Sequence, residues 1–249
     1  MTEPDDRIQV AIPLFDAFTA LDAIGPYEVL QRIPTIDVVF VGHALGEVRS
    51  DNGMLGIVRD AVFEDVAAPD VLVFPGGFGT RALEQDERVL GWVRAVHRTT
   101  TFTTSVCTGA LVLGAAGLLR GRRATTHWSV HDLLAAFGAI PTQGRVVRDG
   151  NLFTGGGVTA GIDFALTLVG EMFGELVAQE VQLGIEYAPA PPFDAGSPDT
   201  APAEVVAALR ARGAAMRARR EEIVARAAGP AILNSLSVLF FRVVAPSVA

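Results

Sequence analysis

Cys107 is the residue in this sequence whose type and setting best fit covalent chemistry. It follows a β-branched stretch at residues 103–106 and precedes an apolar helical pattern, with Ser105 and Gly109 two residues away on either side. A tight strand-to-helix turn needs such small neighbours and presents its central side chain at the carboxyl edge of a parallel sheet. A helix N-terminus at this position would also lower the thiol pKa. The pattern predicts a nucleophile elbow, and the alternative is a buried structural cysteine.

Asp22 is the best candidate for an acid beside this thiol. It follows the strand pattern of residues 8–15, at the first strand-to-helix junction, where the carboxyl edge should face the same crevice. A carboxylate next to a thiolate is unfavourable, so its pKa should rise and the group should stay neutral. Asp22 is therefore predicted to be a general acid and a hydrogen-bond donor to sulfur, and a helix cap is the alternative.

A glycine-rich segment at residues 74–80 follows another strand pattern and could hold developing negative charge. Gly77 is the first candidate for an amide donor and Thr108 the second, whereas an ordinary turn would explain the same glycines. Gly76 and His127 are further candidates for lining the pocket, and His127 and His131 are the alternatives for a catalytic base. A packed, hydrogen-bonded role beside Trp128 is nevertheless the first interpretation of His127.

Composition excludes several classes of function. All 20 basic residues are arginine, which excludes lysine Schiff bases and Walker-type phosphate loops. The formal charge of −8 argues against a nucleic-acid partner. The single cysteine excludes an intrachain disulfide and suits a reducing cytoplasm. We therefore expect a cytoplasmic protein with a small-molecule partner.

No metal and no cofactor is predicted. No pair of histidine or acidic residues has a convincing ligand spacing. Residues 155–160 formally fit a dinucleotide-binding fingerprint, but no following strand ends in an acidic residue at the required distance. Residues 155–161 are instead predicted to form a second strand-to-helix turn.

Alternating strand and helix patterns predict an α/β fold with a mostly parallel sheet and helices on both faces. Residues 1–228 are expected to form a single domain, and residues 229–249 an apolar tail too short to span a bilayer. The N-terminus lacks the pattern of a secretory signal. The predicted strands cover residues 8–15, 36–42, 71–77 and 100–106, with a hairpin at 145–148 and 151–154. The predicted helices cover residues 21–32, 87–97, 111–119, 131–137, 162–183 and 204–227.

Several motifs together resemble the ThiJ/PfpI superfamily of glutamine-amidotransferase-like proteins, most closely its isonitrile hydratase group. They occupy residues 21–26, 75–77, 104–119, 123–128, 146–151, 155–166 and 187–193. The resemblance implies a flavodoxin-like sandwich, a homodimer without a cofactor, and addition of water to an isocyanide to give an N-substituted formamide. It further implies that Cys107 attacks the isocyanide carbon to form a thioimidate. Asp22 would protonate the adduct and help to deliver water, and Thr108 would support the site.

Two rival functions remain open on the same scaffold. A stress-response protein, acting as a glyoxalase or redox sensor, would use the free thiol on aldehydes or oxidants. Stress-response members of the superfamily typically have Glu at the first strand-to-helix junction, where this chain has Asp22. The sensor domain of an AraC-type regulator is also similar around the elbow, but those proteins carry two DNA-binding helices. Here one arginine-rich helix is predicted after Phe193.

Overall fold

The computed structural model describes residues 7–229, and a seven-stranded sheet forms its centre. The strands are β1 (Ile8–Pro13), β2 (Ile36–Gly42), β3 (Gly46–Arg49), β4 (Gly56–Arg59), β5 (Ala61–Val62), β6 (Val71–Phe74), β7 (Phe102–Val106), β8 (Arg123–Ala124), β9 (Ile140–Pro141), β10 (Val146–Asp149) and β11 (Leu152–Gly155). The helices are α1 (Ala20–Leu30), α2 (Thr80–Leu83), α3 (Glu87–Val96), α4 (Gly109–Ala115), α5 (Ala160–Phe173), α6 (Glu175–Gly184) and α7 (Ala203–Ala228). Two 3-10 helices cover Phe63–Asp65 and Trp128–Phe137.

The central sheet has the order β10-β11-β7-β6-β1-β2-β5, and its strands are parallel except for the edge strand β10. Parallel strands covered by helices are buried on both faces, which explains why β6 is a continuous apolar run with no exposed residue. The predicted α/β class with a mostly parallel sheet is confirmed.

The topology brings three strand ends together. After β1 the chain first builds β2 on one side and then crosses to build β6 on the other side, so a topological switch point lies between β1 and β6. Ligands of open α/β sheets bind in the crevice outside the carboxyl ends of the strands at such a point. The segments that follow β1, β6 and β7 carry Asp22, Gly76 and Cys107.

The long helix predicted for residues 162–183 is wrong as a single element. It is divided into α5 and α6 at Gly174, whose φ of 91° and ψ of 158° are accessible almost only to glycine. The hydrophobic pattern continues on both sides of the break because both helices pack on the rest of the domain, and this continuity concealed the break. The antiparallel hairpin of β3 and β4 was also not predicted.

Helix α7, the last helix within the described residues, packs against the 3-10 helix Trp128–Phe137 and against α4. Residues 230–249, which hold nearly all of the predicted apolar tail, lie outside the described residues. Within residues 7–229 no helix is long and apolar enough to cross a membrane.

The break between α5 and α6 predicts that alanine variants at two glycines differ in stability. An added Cβ at Gly174 meets no atom within 4 Å, so Gly174→Ala would suffer backbone strain alone and should lose about 1–3 kcal/mol of unfolding free energy. Gly184→Ala, at the end of α6 and equally free of contacts, is the control and should be neutral or stabilising by up to about 1 kcal/mol. Urea denaturation measures both. Equal stabilities would contradict the strain.

Candidate active site

Cys107 lies in a strained turn between β7 and α4. Its φ is 54°, a left-handed conformation that is unusual for a residue other than glycine, and the side chain is 5% exposed. Its N–H donates to both Gly155 O (3.1 Å) and Gly156 O (2.9 Å), and Thr126 Oγ1 donates to its carbonyl (2.6 Å). An added Cβ at Gly109 would lie 2.2 Å from Phe74 O. The predicted elbow geometry is therefore present and is held by contacts from several segments.

Asp22 meets Cys107 at the switch point. The Asp22 side chain is fully buried, and its Oδ2 accepts a hydrogen bond from Gly76 N–H (3.0 Å). Gly76 must be small, because an added Cβ would lie 2.7 Å from Asp22 Oδ2 and 2.8 Å from Cys107 Cβ. Among the residues that the structure describes, Asp22 Oδ1 has no hydrogen-bond partner. One carboxyl oxygen is thus fixed by the backbone, while the other is free to carry a proton.

Burial raises the pKa of Asp22 to about 7. Hydrogen bonds from the Cys107 thiol and from Gly76 oppose this effect of burial, and the charge of Asp51 adds to it. Below about pH 7 the carboxyl is therefore mostly protonated, in the direction that the sequence analysis expected. The buried position of Asp22 causes the upward shift of its pKa, whereas the sequence analysis attributed that shift to the nearby sulfur.

The Cys107 thiol behaves differently from the expectation. Its pKa is raised, first by burial and then by Asp22, whereas the sequence position at a helix N-terminus predicted a lowered value. The backbone amides of Thr108 and Val158 hydrogen-bond to the sulfur and favour the thiolate, but they do not outweigh burial. The expectation was wrong because it considered the helix and not the depth of the site. The resting site contains a neutral thiol beside a carboxyl group.

The glycine loop after β6 is already hydrogen-bonded within the protein. Gly77 N–H donates to Thr108 Oγ1 (2.9 Å), and Gly76 N–H is occupied by Asp22. The prediction that the Gly77 amide is free to receive developing negative charge is therefore wrong for this state. The Thr108 hydroxyl accepts the hydrogen bond of the Gly77 amide, while the Thr108 amide hydrogen-bonds to the Cys107 sulfur.

His127 lies beside the opposite loop. An added Cβ at Gly157 would lie 2.4 Å from His127 Cδ2, and His127 Nδ1 is 2.8 Å from Ser129 Oγ. Burial lowers the pKa of His127, so the ring is neutral at physiological pH. It therefore contacts the loop that holds Cys107, in agreement with a packed, hydrogen-bonded role.

Sequence reasoning missed the second wall of the site. Gly155 and Gly156 accept from the Cys107 amide, and Val158 donates to its sulfur. The signal was the glycine-rich segment at residues 155–160, which was predicted to be a strand-to-helix turn but was not assigned to the site. Thr126 carried no signal of its own. Within residues 7–229 no group of three or more His, Cys, Asp or Glu side chains is arranged to hold a metal ion.

The raised pKa of Asp22 predicts a measurable effect on stability. The native state keeps a proton that the unfolded chain releases above pH 3.8, so the wild type should lose stability as pH rises towards about 7. The side-chain amide of an Asp22→Asn variant would be neutral at every pH. We expect the unfolding free energy of the variant minus that of wild type to increase by about 2–4 kcal/mol when the pH is raised from about 5 to about 8. Urea denaturation at both pH values tests this, and a constant difference would mean that the pKa is not raised.

The comparisons with known proteins agree with this architecture. The DJ-1/PfpI family matches residues 8–171. An isonitrile hydratase from Pseudomonas putida is 54% identical over 221 residues, which cover 89% of this chain and 96% of that protein. A helix-turn-helix transcriptional regulator from Pseudomonas aeruginosa is 32% identical over 68% of this chain and 51% of its own length. The crystal structure of a ThiJ/PfpI family protein from Pseudomonas syringae, 40% identical, superposes with a TM-score of 0.85 over 90% of this chain and 96% of that one. The chain belongs to the DJ-1/PfpI family.

Proposed function

We propose that this protein is an isonitrile hydratase, which converts an isocyanide and water into an N-substituted formamide. The observation that carries the proposal is the buried Asp22 carboxyl beside the Cys107 thiol at the elbow, in a chain 54% identical to an isonitrile hydratase over most of its length. The substrate is a small molecule, and its reacting carbon needs both a nucleophile and a proton.

The first step forms a covalent adduct. Sγ of Cys107 bonds to the terminal carbon of the isocyanide, and Asp22 gives its proton to the same carbon. The thiol proton replaces the one that Asp22 has lost. The product is a thioimidate in which carbon is singly bonded to sulfur and doubly bonded to nitrogen. Because both groups start and finish neutral, no pair of anions has to exist in this buried site.

The second half of the cycle consumes water. Water adds to the thioimidate carbon while Asp22 protonates the nitrogen and takes a proton from the water. The carbon–sulfur bond of this tetrahedral adduct then breaks, and the proton of its hydroxyl group returns to sulfur through Asp22. The formamide leaves with the regenerated thiol and carboxyl. The amides of Thr108 and Val158 hydrogen-bond to sulfur, and we assign them the stabilisation of charge as the bond breaks.

The burial and electrostatics of Cys107 favour this function over that of a redox sensor. A redox-sensing cysteine reacts as a thiolate that is accessible to solvent. Here the thiol is 5% exposed and its pKa is raised, so it is a poor target for oxidants until a ligand supplies an electrophile in contact with Asp22. The similarity to a transcriptional regulator covers only 51% of that protein, and α7 is the single helix that the structure describes after residue 202.

A homodimer in the cytoplasm completes the proposal. Helix α6 exposes Leu176 and Leu183, at 64% and 82%, and α7 exposes Leu209 at 45%. A second copy that covers such side chains would bury apolar surface that is otherwise in contact with water. No role for nucleic acid or a membrane is proposed.

Turnover of an isocyanide is the direct test. Loss of an aliphatic or aromatic isocyanide and appearance of the formamide by mass spectrometry should occur with wild type. Cys107→Ala should abolish turnover, and Asp22→Asn should lower kcat by about 10²–10⁴-fold, which is the usual contribution of general acid–base catalysis. Since Asp22 must be protonated, kcat/KM should fall above about pH 7.

Asp51→Asn is the matched control for charge. Asp51 is an exposed carboxylate whose charge raises the pKa of Asp22, and its Oδ2 accepts a hydrogen bond from Thr19 Oγ1 (3.2 Å) that an amide oxygen can also accept. The amide variant should therefore keep kcat near wild type at about pH 6. A rate that rises with pH through 7 to 9 would contradict a protonated Asp22. A wild type that is inert towards isocyanides but consumes methylglyoxal would overturn the proposed function.

The homodimer has its own test. Light scattering coupled to size-exclusion chromatography should give twice the chain mass of 26.2 kDa. Replacing Leu176 and Leu183 together by Asn should shift the protein towards the monomer, because polar side chains weaken an apolar interface. A monomeric wild type at micromolar concentration would contradict this part of the proposal.

A further inference from the structure

A buried ion pair connects helix α7 to the segment that follows β6, beside the catalytic cysteine. Arg220 of α7 and Glu84, the residue after α2, are each 1% exposed, and Arg220 Nη1 donates to Glu84 Oε1. The two residues are far apart in sequence, and Arg220 lies well beyond residue 171, where the match to the family ends. Removing two charges from water carries a desolvation cost that their attraction often only offsets. A pair of apolar residues of similar size would often be as stable, so the ion pair suggests a role other than stability.

Hydrogen bonds continue from this ion pair to the active site. Arg220 Nη2 donates to Thr80 Oγ1 (2.9 Å), and Thr80 is fully buried. Thr80 Oγ1 lies 2.9 Å from Gly77 O and 3.2 Å from Thr108 Oγ1. Cys107 directly precedes Thr108, and the Thr108 amide hydrogen-bonds to the Cys107 sulfur. One hydroxyl group therefore separates the guanidinium from the residues that face the nucleophile.

The guanidinium fixes the direction of this relay. A guanidinium has only donors, so Arg220 must occupy a lone pair of Thr80 Oγ1. The hydroxyl proton of Thr80 then has to point away from Arg220, towards Gly77 O or Thr108 Oγ1. Gly77 is held at the same time through its N–H, which donates to Thr108 Oγ1 (2.9 Å). Glu84 holds Arg220 in place from the other side.

We propose that Thr80, Glu84 and Arg220 are positioning residues for the hydratase reaction, and that α7 thereby completes the active site by fixing Thr108 and Gly77 beside Cys107. This inference rests on the proposed function. The residues do not touch the reacting atoms. They act through Thr108, whose amide must stay within hydrogen-bonding distance of sulfur while the carbon–sulfur bond forms and breaks.

The charges around the ion pair support this role. Arg81 and Arg219 lie near Arg220, so the cluster carries more positive than negative charge. A negative charge at Cys107 raises the pKa of Arg220, so the two groups attract each other when both are charged. Apolar replacements would preserve the packing but would remove this attraction and the donor to Thr80. A purely structural ion pair would contribute to stability and leave the thiol unchanged.

Thr80→Val tests the relay with little change of shape. It removes the hydroxyl group, and Thr80→Ser restores it. The combined variant Glu84→Leu/Arg220→Met removes the ion pair without leaving an unpaired charge. Arg217→Met is the matched control on the same helix: Arg217 pairs with Asp132 and Ser129 O at the 3-10 helix and does not reach Thr80.

Two readouts are measured on each folded variant: isocyanide turnover, and the pH profile of Cys107 alkylation by iodoacetamide. Thr80→Val and the combined variant should each lower kcat about tenfold or more, with a smaller change in KM, since misplacement by about 1 Å can cost 10²-fold. Both should lower the rate of alkylation at each pH of the profile, because the thiolate loses the fixed Thr108 amide. Joining the two changes in one protein should cost little more than either alone, because they act on one relay.

Thr80→Ser and Arg217→Met should remain within about twofold of wild type in both readouts. The inference is overturned if Thr80→Val is folded and matches wild type, or if Thr80→Ser is as impaired as Thr80→Val. If one variant fails to fold, the other decides by the same criteria. An inert wild type would instead overturn the proposed function, and the alkylation profile would still show whether the relay controls the thiol.

Discussion

The close approach of a carboxyl group and a thiol, away from water, is the constraint on which the rest of the site depends. Neither Asp22 nor Cys107 is charged at low cost in this position, because burial raises the pKa of both groups and the Asp22 carboxylate raises that of Cys107 further. Such a pair is stable when it shares protons and is unfavourable as two anions. The chemistry that suits it is an addition in which a proton and a nucleophile reach the same substrate carbon, as hydration of an isocyanide requires.

Placing these two groups together determines what the neighbouring backbone can be. The ends of three adjacent strands must converge, which a switch point between β1 and β6 provides. Cys107 must then turn sharply with positive φ, and Gly76 must have no side chain because three groups surround its Cβ direction at less than 3 Å. The strain of the turn persists because Gly155, Gly156 and Thr126 all bind the backbone of Cys107.

Much of the fold and the chemical groups of the site could be predicted from sequence, because hydrophobic periodicity and the elbow motif are local signals. Family membership and the parallel sheet are confirmed, and the structure brings Asp22 close to Cys107. The direction of the thiol pKa shift could not be predicted, since burial depends on everything packed above the sulfur. The Gly174 break was hidden because its φ and ψ leave no trace in hydrophobicity. The roles of Val158 and Thr126 arise only from tertiary contacts.

Helix α7 shows why a local motif does not describe a whole site. The elbow, the glycine loop and the acid all lie within residues 8–171. The Thr80 hydroxyl next to Thr108 nevertheless accepts a hydrogen bond from Arg220, outside that range. Exposed arginines of α7 belong to a solvated face, and the sequence offers nothing that separates Arg220 from them. Its burial distinguishes it. A guanidinium that is removed from water keeps its charge only with fixed acceptors, and here the acceptors are Glu84 and Thr80, so the cost of burying the charge is linked to the geometry of the catalytic loop.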